Sequence, residues 1–408
     1  MKLTLLTILI CFAGMNLHAQ SADMTHFENE IGRLDATFAE RLSVLEFVRD
    51  AELTGIGEFY HNALQILLQR IPDISTGAEQ HAANAAARIV IQGLGAEGHA
   101  EAASDLWRAV VQFDVAHAQN DGLVMQDALT ALGQVDGRNY IPHIVQRLTT
   151  LNSQVLTDLE TRRRVQRAVV GCINALEAFR DPAGFQPVFF ASVGAFERPI
   201  QNRASIALPN IADDPGDLII EIIRDPSVPP SAKYEAWREM LRTRAPDESR
   251  ARVAAVALDT GWTFVTGNLA QQRYLRSMRV SAIDAIRHFG AADDSVYVNL
   301  ERSYRNNFVN PAPDFEEIRR TLAALSAMGT DRSVDLLLGF LRELHERRRI
   351  GPWGARERQV FGWVVPNLGA SGTQSQEARF LLATIQRAHE YTGVEQGWAR
   401  DALRALDN

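Results

Sequence analysis

Lysine is nearly absent from this chain. Only Lys2 and Lys233 carry an ammonium group, so the other 40 of its 42 basic residues are arginine. This bias has two readings: genomic base composition, or selection for bidentate recognition of anions by guanidinium groups. Because it extends over the whole chain, it locates no site. The formal net charge of −8 argues against a nucleic-acid-binding protein, which carries a basic excess.

Cysteine is also scarce, with only Cys11 and Cys172 in 408 residues. Once a leader containing Cys11 is removed, a single cysteine excludes an internal disulfide framework, so stability must come from packing. Cys172 lies between Val169 and Leu176 at helical spacing. We therefore expect it to be a small buried side chain, and the alternative is a reactive thiol.

Long apolar runs are missing beyond the first residues. Lys2 is followed by the apolar stretch from Leu3 to Met15, and Ala19 then offers a cleavage site. About 13 apolar residues are too few to span a bilayer, so this pattern predicts a signal peptide over residues 1–19. We expect an exported, most simply periplasmic, protein whose mature chain has no transmembrane segment.

Catalytic signatures are absent as well. The chain contains no G-x-S-x-G elbow, no phosphate-binding loop and no H-E-x-x-H motif. His81, His99 and His117 are spaced by 18 residues and fall in successive helices or loops, so they do not lie on one helical face at metal-binding spacing. The sequence therefore predicts no catalytic residues, no cofactor and no metal site.

The chain is rich in helical periodicity. Apolar residues between 24 and 50 form one stripe, which predicts a helix that caps the first end of a repeat array within a 20–56 segment. From residue 57 the pattern is one of helix pairs. We expect first helices near 57–70, 99–113, 139–152, 184–193, 216–224, 246–260, 294–307, 332–348 and 376–391. We expect second helices near 78–94, 121–133, 160–179, 199–211, 230–243, 270–289, 314–328, 354–368 and 395–407.

The second helix of each pair carries small residues four positions and one position before a large apolar anchor, often with glycine next. The anchors fall at positions 94, 132, 176, 208, 240, 289, 328, 368 and 406. Spacings of 32 to 49 residues are typical of stacked helical hairpins. We expect the small residues to let helices approach, the anchor to fill the layer between repeats, and the glycine to end the helix in a left-handed conformation.

This pattern resembles the HEAT-repeat family, in particular the short HEAT-like repeats of phycobilisome lyases. Three segments carry the likeness: Val124, Ala128, Ala131, Leu132, Gly133 with Asp136; Ile200, Ala204, Ala207, Leu208 with Asp214; and Ala324, Ala327, Met328, Gly329 with Asp331. The family arginine is replaced by Met125, Gln201 and Thr321. The resemblance implies an all-α, right-handed α-solenoid (an armadillo-like α/α superhelix) of about nine hairpins over residues 57–408, with a general role in binding.

Aromatic residues and arginines concentrate in the later repeats. The segments 260–269, 306–314 and 349–355 are predicted to be loops that carry aromatics, and arginines open the helices that follow. Trp and Arg frequently anchor interfaces, which makes these residues a candidate partner-binding surface. The other reading is that the aromatics cover their own repeats and the arginines pair locally. The candidates are Trp262, Phe264, Arg273, Arg276, Phe308, Arg319, Arg320, Trp353, Arg356 and Arg358.

The sequence thus favours binding over catalysis. We expect a non-enzymatic, monomeric scaffold that holds a protein or peptide partner of the cell envelope in a concave groove, with no nucleic acid and no cofactor. Two alternatives remain open. One is a HEAT-like lyase or carrier of a small ligand, which would need a deep apolar cavity. The other is a purely structural spacer in the envelope.

Overall fold

The structure, a computed structural model, describes residues 20–407 apart from residues 75, 118 and 155–157. In these residues the protein is all-helical and contains no β-strand. The predicted signal peptide, residues 1–19, lies outside the described residues. None of the described helices is both long and apolar enough to cross a membrane. The chain divides between Ala212 and Asp213 into two compact units.

Unit 1 contains ten α-helices among its described residues. They are α1 (Gln20–Gly32), α2 (Phe38–Asp50), α3 (Gly57–Arg70), α4 (Gly77–Glu97), α5 (Ala103–Gln112), α6 (Leu123–Gln134), α7 (Ile141–Ser153), α8 (Leu159–Phe179), α9 (Phe185–Val193) and α10 (Arg198–Ile211).

Unit 2 contains ten more. They are α11 (Gly216–Arg224), α12 (Pro230–Arg242), α13 (Asp247–Thr263), α14 (Leu269–Phe289), α15 (Ser295–Val309), α16 (Phe315–Met328), α17 (Asp331–Ile350), α18 (Ala355–Ala370), α19 (Gln376–Arg387) and α20 (Gly393–Asp407). Each helix expected from residue 57 onward is present. The largest differences are of four residues: α5, expected from residue 99, begins at Ala103, and α19, expected to reach residue 391, ends at Arg387.

The prediction of a single helix over residues 24–50 is wrong, because a turn between α1 and α2 interrupts the helix. Thr37 begins a new helix through a capping box: its hydroxyl accepts from the Glu40 N–H at 3.3 Å, and the Glu40 carboxylate accepts from the Thr37 N–H at 2.9 Å. Buried Arg41 then donates to the carbonyl oxygens of Ile31 and Arg33, which fixes the turn. Local capping therefore overrides the continuous apolar stripe.

Within each unit the helices form two layers. In unit 1 the second helices α4, α6, α8 and α10 contact one another in succession, and each packs against the helix that pairs with it. The second helices α12, α14, α16, α18 and α20 of unit 2 do the same. Side chains of the second helices thus meet the preceding and following pairs. This arrangement gives every pair a shared hydrophobic core with its neighbours.

Most predicted anchors fill these cores. Leu94, Leu132, Leu176, Leu208, Met240, Leu368 and Leu406 are buried. Phe289 and Met328 are only partly buried, and Ile286 and Leu325, three residues earlier in each helix, are buried instead. Cys172 is fully buried, and burial raises the pKa of its thiol to about 12. The expectation of a small buried side chain is confirmed there.

The expected role of the glycines holds for only some of them. Gly290 and Gly329 follow their helices with positive φ angles of 89° and 58°. Gly133 and Gly369 instead lie inside α6 and α18, where a second helix packs directly against them. A Cβ at Gly133 would lie 3.0 Å from Ala175 Cα, so this glycine permits close packing and does not end a helix.

Candidate functional site

Four of the ten candidate residues line one open groove of about 550 Å³ in unit 2: Trp262, Phe264, Arg273 and Arg276. The groove lies at the turn between α13 and α14. Val265 and Leu269 line it as well. The Val265 groove is defined here by these six residues and by Arg279 at its floor, and it combines apolar surface with guanidinium groups.

A short, internally bonded turn holds the groove. Asn268 caps α14 by accepting from the backbone N–H groups of Ala270 at 2.9 Å and Gln271 at 3.3 Å. Gln272 donates from Nε2 to the Thr266 carbonyl oxygen at 2.9 Å. These bonds close the turn, and two of its apolar side chains point away from the core. Val265 is 92% exposed and Leu269 is 73% exposed.

The floor of the groove is a stack of Trp262 on Arg279. The guanidinium carbon lies 4.0 Å from the ring centroid, and Trp262 donates from Nε1 to Ser303 Oγ at 2.8 Å. Arg279 also forms a bidentate pair with Glu317, at 2.9 and 3.0 Å, and the Glu317 side chain is fully buried. These contacts hold the indole ring in one orientation, with part of its surface exposed to solvent.

The Phe264 ring packs against the side chain of Lys233, which is fully buried. The ammonium group lies 5.3 Å from the Phe264 ring centroid and donates to the carbonyl oxygens of Ile222, Ile223 and Asp225 at the end of α11. Burial lowers the pKa of Lys233, while Asp225 opposes the shift. The scarce lysine is therefore used to satisfy a helix C-terminus beneath the groove.

The two arginines of the groove differ in their pairing. Arg276 forms a bidentate pair with Asp314, whose Oδ1 lies 2.9 Å from Nη2. Burial raises the pKa of Asp314, but hydrogen bonds from Arg276 and from the Glu317 N–H outweigh burial and hold it below its usual value. Arg273 is exposed and forms no hydrogen bond or ion pair with any residue that the structure describes. The groove thus presents one cation available to a ligand.

The other aromatic candidates are packed within their own repeats. Phe308 was expected in a loop, but it lies in the last turn of α15, where it is 3% exposed and stacks on Tyr304. Trp262, also expected in a loop, lies in the last turn of α13. Trp353 does lie between helices, but it is 8% exposed and packs on Phe361 and Tyr391. A continuous apolar core extends the helices further than local composition indicated.

The remaining arginine candidates form local pairs away from the groove. Arg319 and Arg320 both pair with Glu316, and Arg320 also pairs with Asp284 on α14. Arg356 donates to the carbonyl oxygens of Phe308 and Pro311, and Arg358 pairs with Glu395. The structure therefore does not bring the ten candidates together on one surface.

Three residues of the site were not among the candidates: Val265, Leu269 and Arg279. Val265 and Leu269 lie in a predicted loop and do not continue the apolar stripe of a neighbouring helix. A search for apolar residues in predicted loops would therefore have found them. Arg279 is one of several arginines on the long helix α14 and has no distinguishing sequence pattern. Only the packing of α14 against α16 shows that it carries the indole ring.

A second cavity lies in unit 1, with a volume of about 420 Å³. Trp107, His143 and Arg147 line it, and Arg147 pairs with Asp114 at 2.8 Å. Trp107 stacks on Tyr140 with ring centroids 5.3 Å apart. The lining thus combines an aromatic wall with paired polar groups, which is typical of sites for small molecules.

The chain was also compared with known proteins. No protein-family model matches it, and no curated protein matches it in sequence. The function of the two sites therefore has to be inferred from their own geometry.

Proposed function

We propose that this protein is a non-enzymatic binding protein: an exported, periplasmic right-handed solenoid of HEAT-like repeats that holds a partner segment on its surface. The observation that carries the proposal is the Val265 groove. It exposes two large aliphatic side chains beside a half-buried indole ring that is already fixed in place. Rigid aromatic and arginine side chains in a groove are the residues that most often dominate binding energy.

The occupant is a peptide segment with apolar side chains and a carboxylate. Val265, Leu269 and Trp262 would cover the apolar side chains, and Arg273 would pair with the carboxylate. The charge of the groove is local, because the whole chain carries a formal net charge of −8. An acidic side chain is thus drawn to this position and repelled by much of the remaining surface.

A phage-displayed library of random peptides, selected on the purified protein, tests this function. We expect enrichment of sequences that pair apolar residues with Asp or Glu. Leu269→Asp and Arg273→Glu should each weaken binding of the enriched peptides at least tenfold, because they place charge against apolar or like-charged surface. Binding is measured by fluorescence anisotropy with synthetic peptides.

Phe380→Asp is the matched control. Phe380 is 74% exposed, close to the 73% of Leu269, and lies on α19, away from the groove. This variant should bind the peptides as the wild type does. Absence of enrichment, or equal losses at Phe380 and Leu269, would contradict the proposal and favour the structural-spacer alternative.

The cavity beside Trp107 supports a second candidate, carriage of a small ligand. Its volume of about 420 Å³ lies within the range of small-molecule sites. Native mass spectrometry of the purified protein should then show a bound mass that is lost in Trp107→Ala. A spectrum of the bare chain alone, at all ligand-preserving conditions, would leave peptide binding as the supported function.

A further inference from the structure

A cluster of side chains of the metal-binding type lies in unit 1, and none of its residues lines the cavity beside Trp107. His61 comes from α3, and His99 and Glu101 come from the turn that leads into α5. One ring nitrogen of each histidine and one carboxylate oxygen of Glu101 lie within 4.8 Å of one another. The three residues come from two successive helix pairs, so only the packing of the pairs brings them together.

His99 offers a buried nitrogen that lacks a partner. Its Nε2 is inaccessible to solvent and forms no hydrogen bond with any described residue. The ring cannot move away easily, because it packs over Gly57, where a Cβ would lie 2.8 Å from Nδ1. Its backbone N–H is also bonded to the Leu94 carbonyl oxygen at 3.2 Å. Buried polar atoms almost always have a partner, so this nitrogen points to a ligand.

His61 is already oriented as metal-binding histidines are. Its Nε2 donates to Asp105 Oδ2 at 2.9 Å, and Gln65 donates to the same oxygen at 2.9 Å. Arg108 donates to the other oxygen of Asp105 at 2.9 Å, which holds the carboxylate in place. With Nε2 protonated, the free lone pair of His61 is on Nδ1. A carboxylate that holds the far nitrogen of a histidine is the usual support of a metal ligand.

We propose that His61, His99 and Glu101 bind a zinc ion, with Asp105 as the residue that orients His61. Two imidazoles and one carboxylate suit Zn²⁺ and leave a fourth position for water or an incoming anionic group. Donor atoms around tetrahedral Zn²⁺ are about 3.3 Å apart, so the side chains must close by about 1.5 Å at most. The exposed Glu101 side chain has the freedom to do this. The site is independent of the peptide groove.

Isothermal titration of ZnCl2 alone into the untagged, chelator-treated full chain tests the site. We expect one zinc ion per chain, and tetrahedral absorption bands when Co²⁺ replaces zinc. His99→Ala and His61→Ala should each weaken zinc binding at least tenfold. Asp105→Asn should weaken it about 10- to 100-fold, as loss of a supporting carboxylate does elsewhere.

Two further variants keep the test decisive. Glu101→Gln changes an exposed side chain and so leaves folding intact, and it should weaken zinc binding at least tenfold. His81→Ala is the control, because His81 is exposed and outside the cluster, and it should bind zinc as the wild type does. Failure of the wild type to bind one zinc ion, or unchanged binding in Glu101→Gln, would overturn the proposal. A water molecule on His99 Nε2 would then explain the buried nitrogen.

Discussion

Two contacts between neighbouring second helices are built in opposite ways. In unit 1, α8 packs on α6 through glycine, and a Cβ at Gly171 would lie 2.9 Å from Gln126 Cα. In unit 2, α16 packs on α14 through ion pairs, with Arg276 on Asp314 and Arg279 on Glu317. The contact between successive second helices is thus stabilised in one case by close packing of the backbones and in the other by ion pairs.

The difference shows where the chain can carry a site. A contact made through glycine leaves no space between helices and no side chain to present. The contact between α14 and α16 needs long side chains, and one of them, Arg279, extends to Trp262 and forms the floor of the Val265 groove. The ionic contact therefore stabilises the repeat and shapes a surface at the same time.

The largest effect is expected at the buried ion pair. Glu317→Ala leaves the guanidinium of Arg279 without its carboxylate in a place where Glu317 was fully buried. The free energy of unfolding should fall by about 3–5 kcal/mol. Chemical denaturation followed by circular dichroism measures it. The neighbouring exposed pair supplies the control: Glu316→Ala should cost about 1 kcal/mol or less, and equal losses would contradict the distinction.

The glycine contact should respond to a single methyl group. Gly171→Ala forces α8 away from α6 and should lower the free energy of unfolding by about 1–3 kcal/mol. Gly339→Ala, in α17 with no atom within 4 Å of the new methyl group, should instead raise it by about 0.5–1 kcal/mol. The opposite signs are the test. If both variants were stabilised, close helix approach would not explain the glycine in α8.

Acid should weaken the ionic contact through Asp314. Its folded pKa is depressed, so its contribution is present above the ordinary carboxyl pKa and is lost as the pH falls through the folded value. Arg276→Gln should therefore be less stable than the wild type at pH 7, by about 1 kcal/mol, and the gap should close towards pH 2. Arg252→Gln, whose pair with Asp217 is exposed, should show little change at either pH.

The smallest effect is expected at Cys172, which lies next to Gly171 and reports on the glycine contact through the reactivity of its thiol. The thiol is fully buried, and its pKa is raised to about 12, so alkylation at pH 8 should be undetectable in the native protein. Peptide mapping separates it from Cys11. Gly171→Ala should increase the labelling rate by loosening α8. Rapid labelling of the wild type would show that this contact opens readily.

Much of the fold could be predicted from residue order. The helices from α3 to α20 could be predicted from apolar periodicity and from the proline and glycine residues between them. Both signals are local, because each depends on only a few neighbouring residues. The break at Thr37 was missed although its capping box is local, since the apolar stripe continues through it. Loop predictions failed at Trp262 and Phe308, because packing extends α13 and α15 beyond the point where composition changes.

Only part of the candidate site could be predicted from the sequence. Trp262, Phe264, Arg273 and Arg276 were selected from their residue types and do meet around one groove. Val265 and Leu269 were passed over as ordinary loop residues. The prediction of no metal site compared His81, His99 and His117 along the chain, whereas the residue next to His99 in space is His61.

Sequence by itself determined the helical class, the approximate positions of the helices from α3 onward and the buried position of Cys172, because short-range periodicity and burial follow from residue order. Tertiary structure alone decided which polar groups meet: Arg279 with Trp262 and Glu317, Lys233 with the end of α11, and His61 with His99. Such pairs depend on how successive helix pairs are stacked. A shift of one residue in that register would separate them, while the apolar pattern would remain almost unchanged.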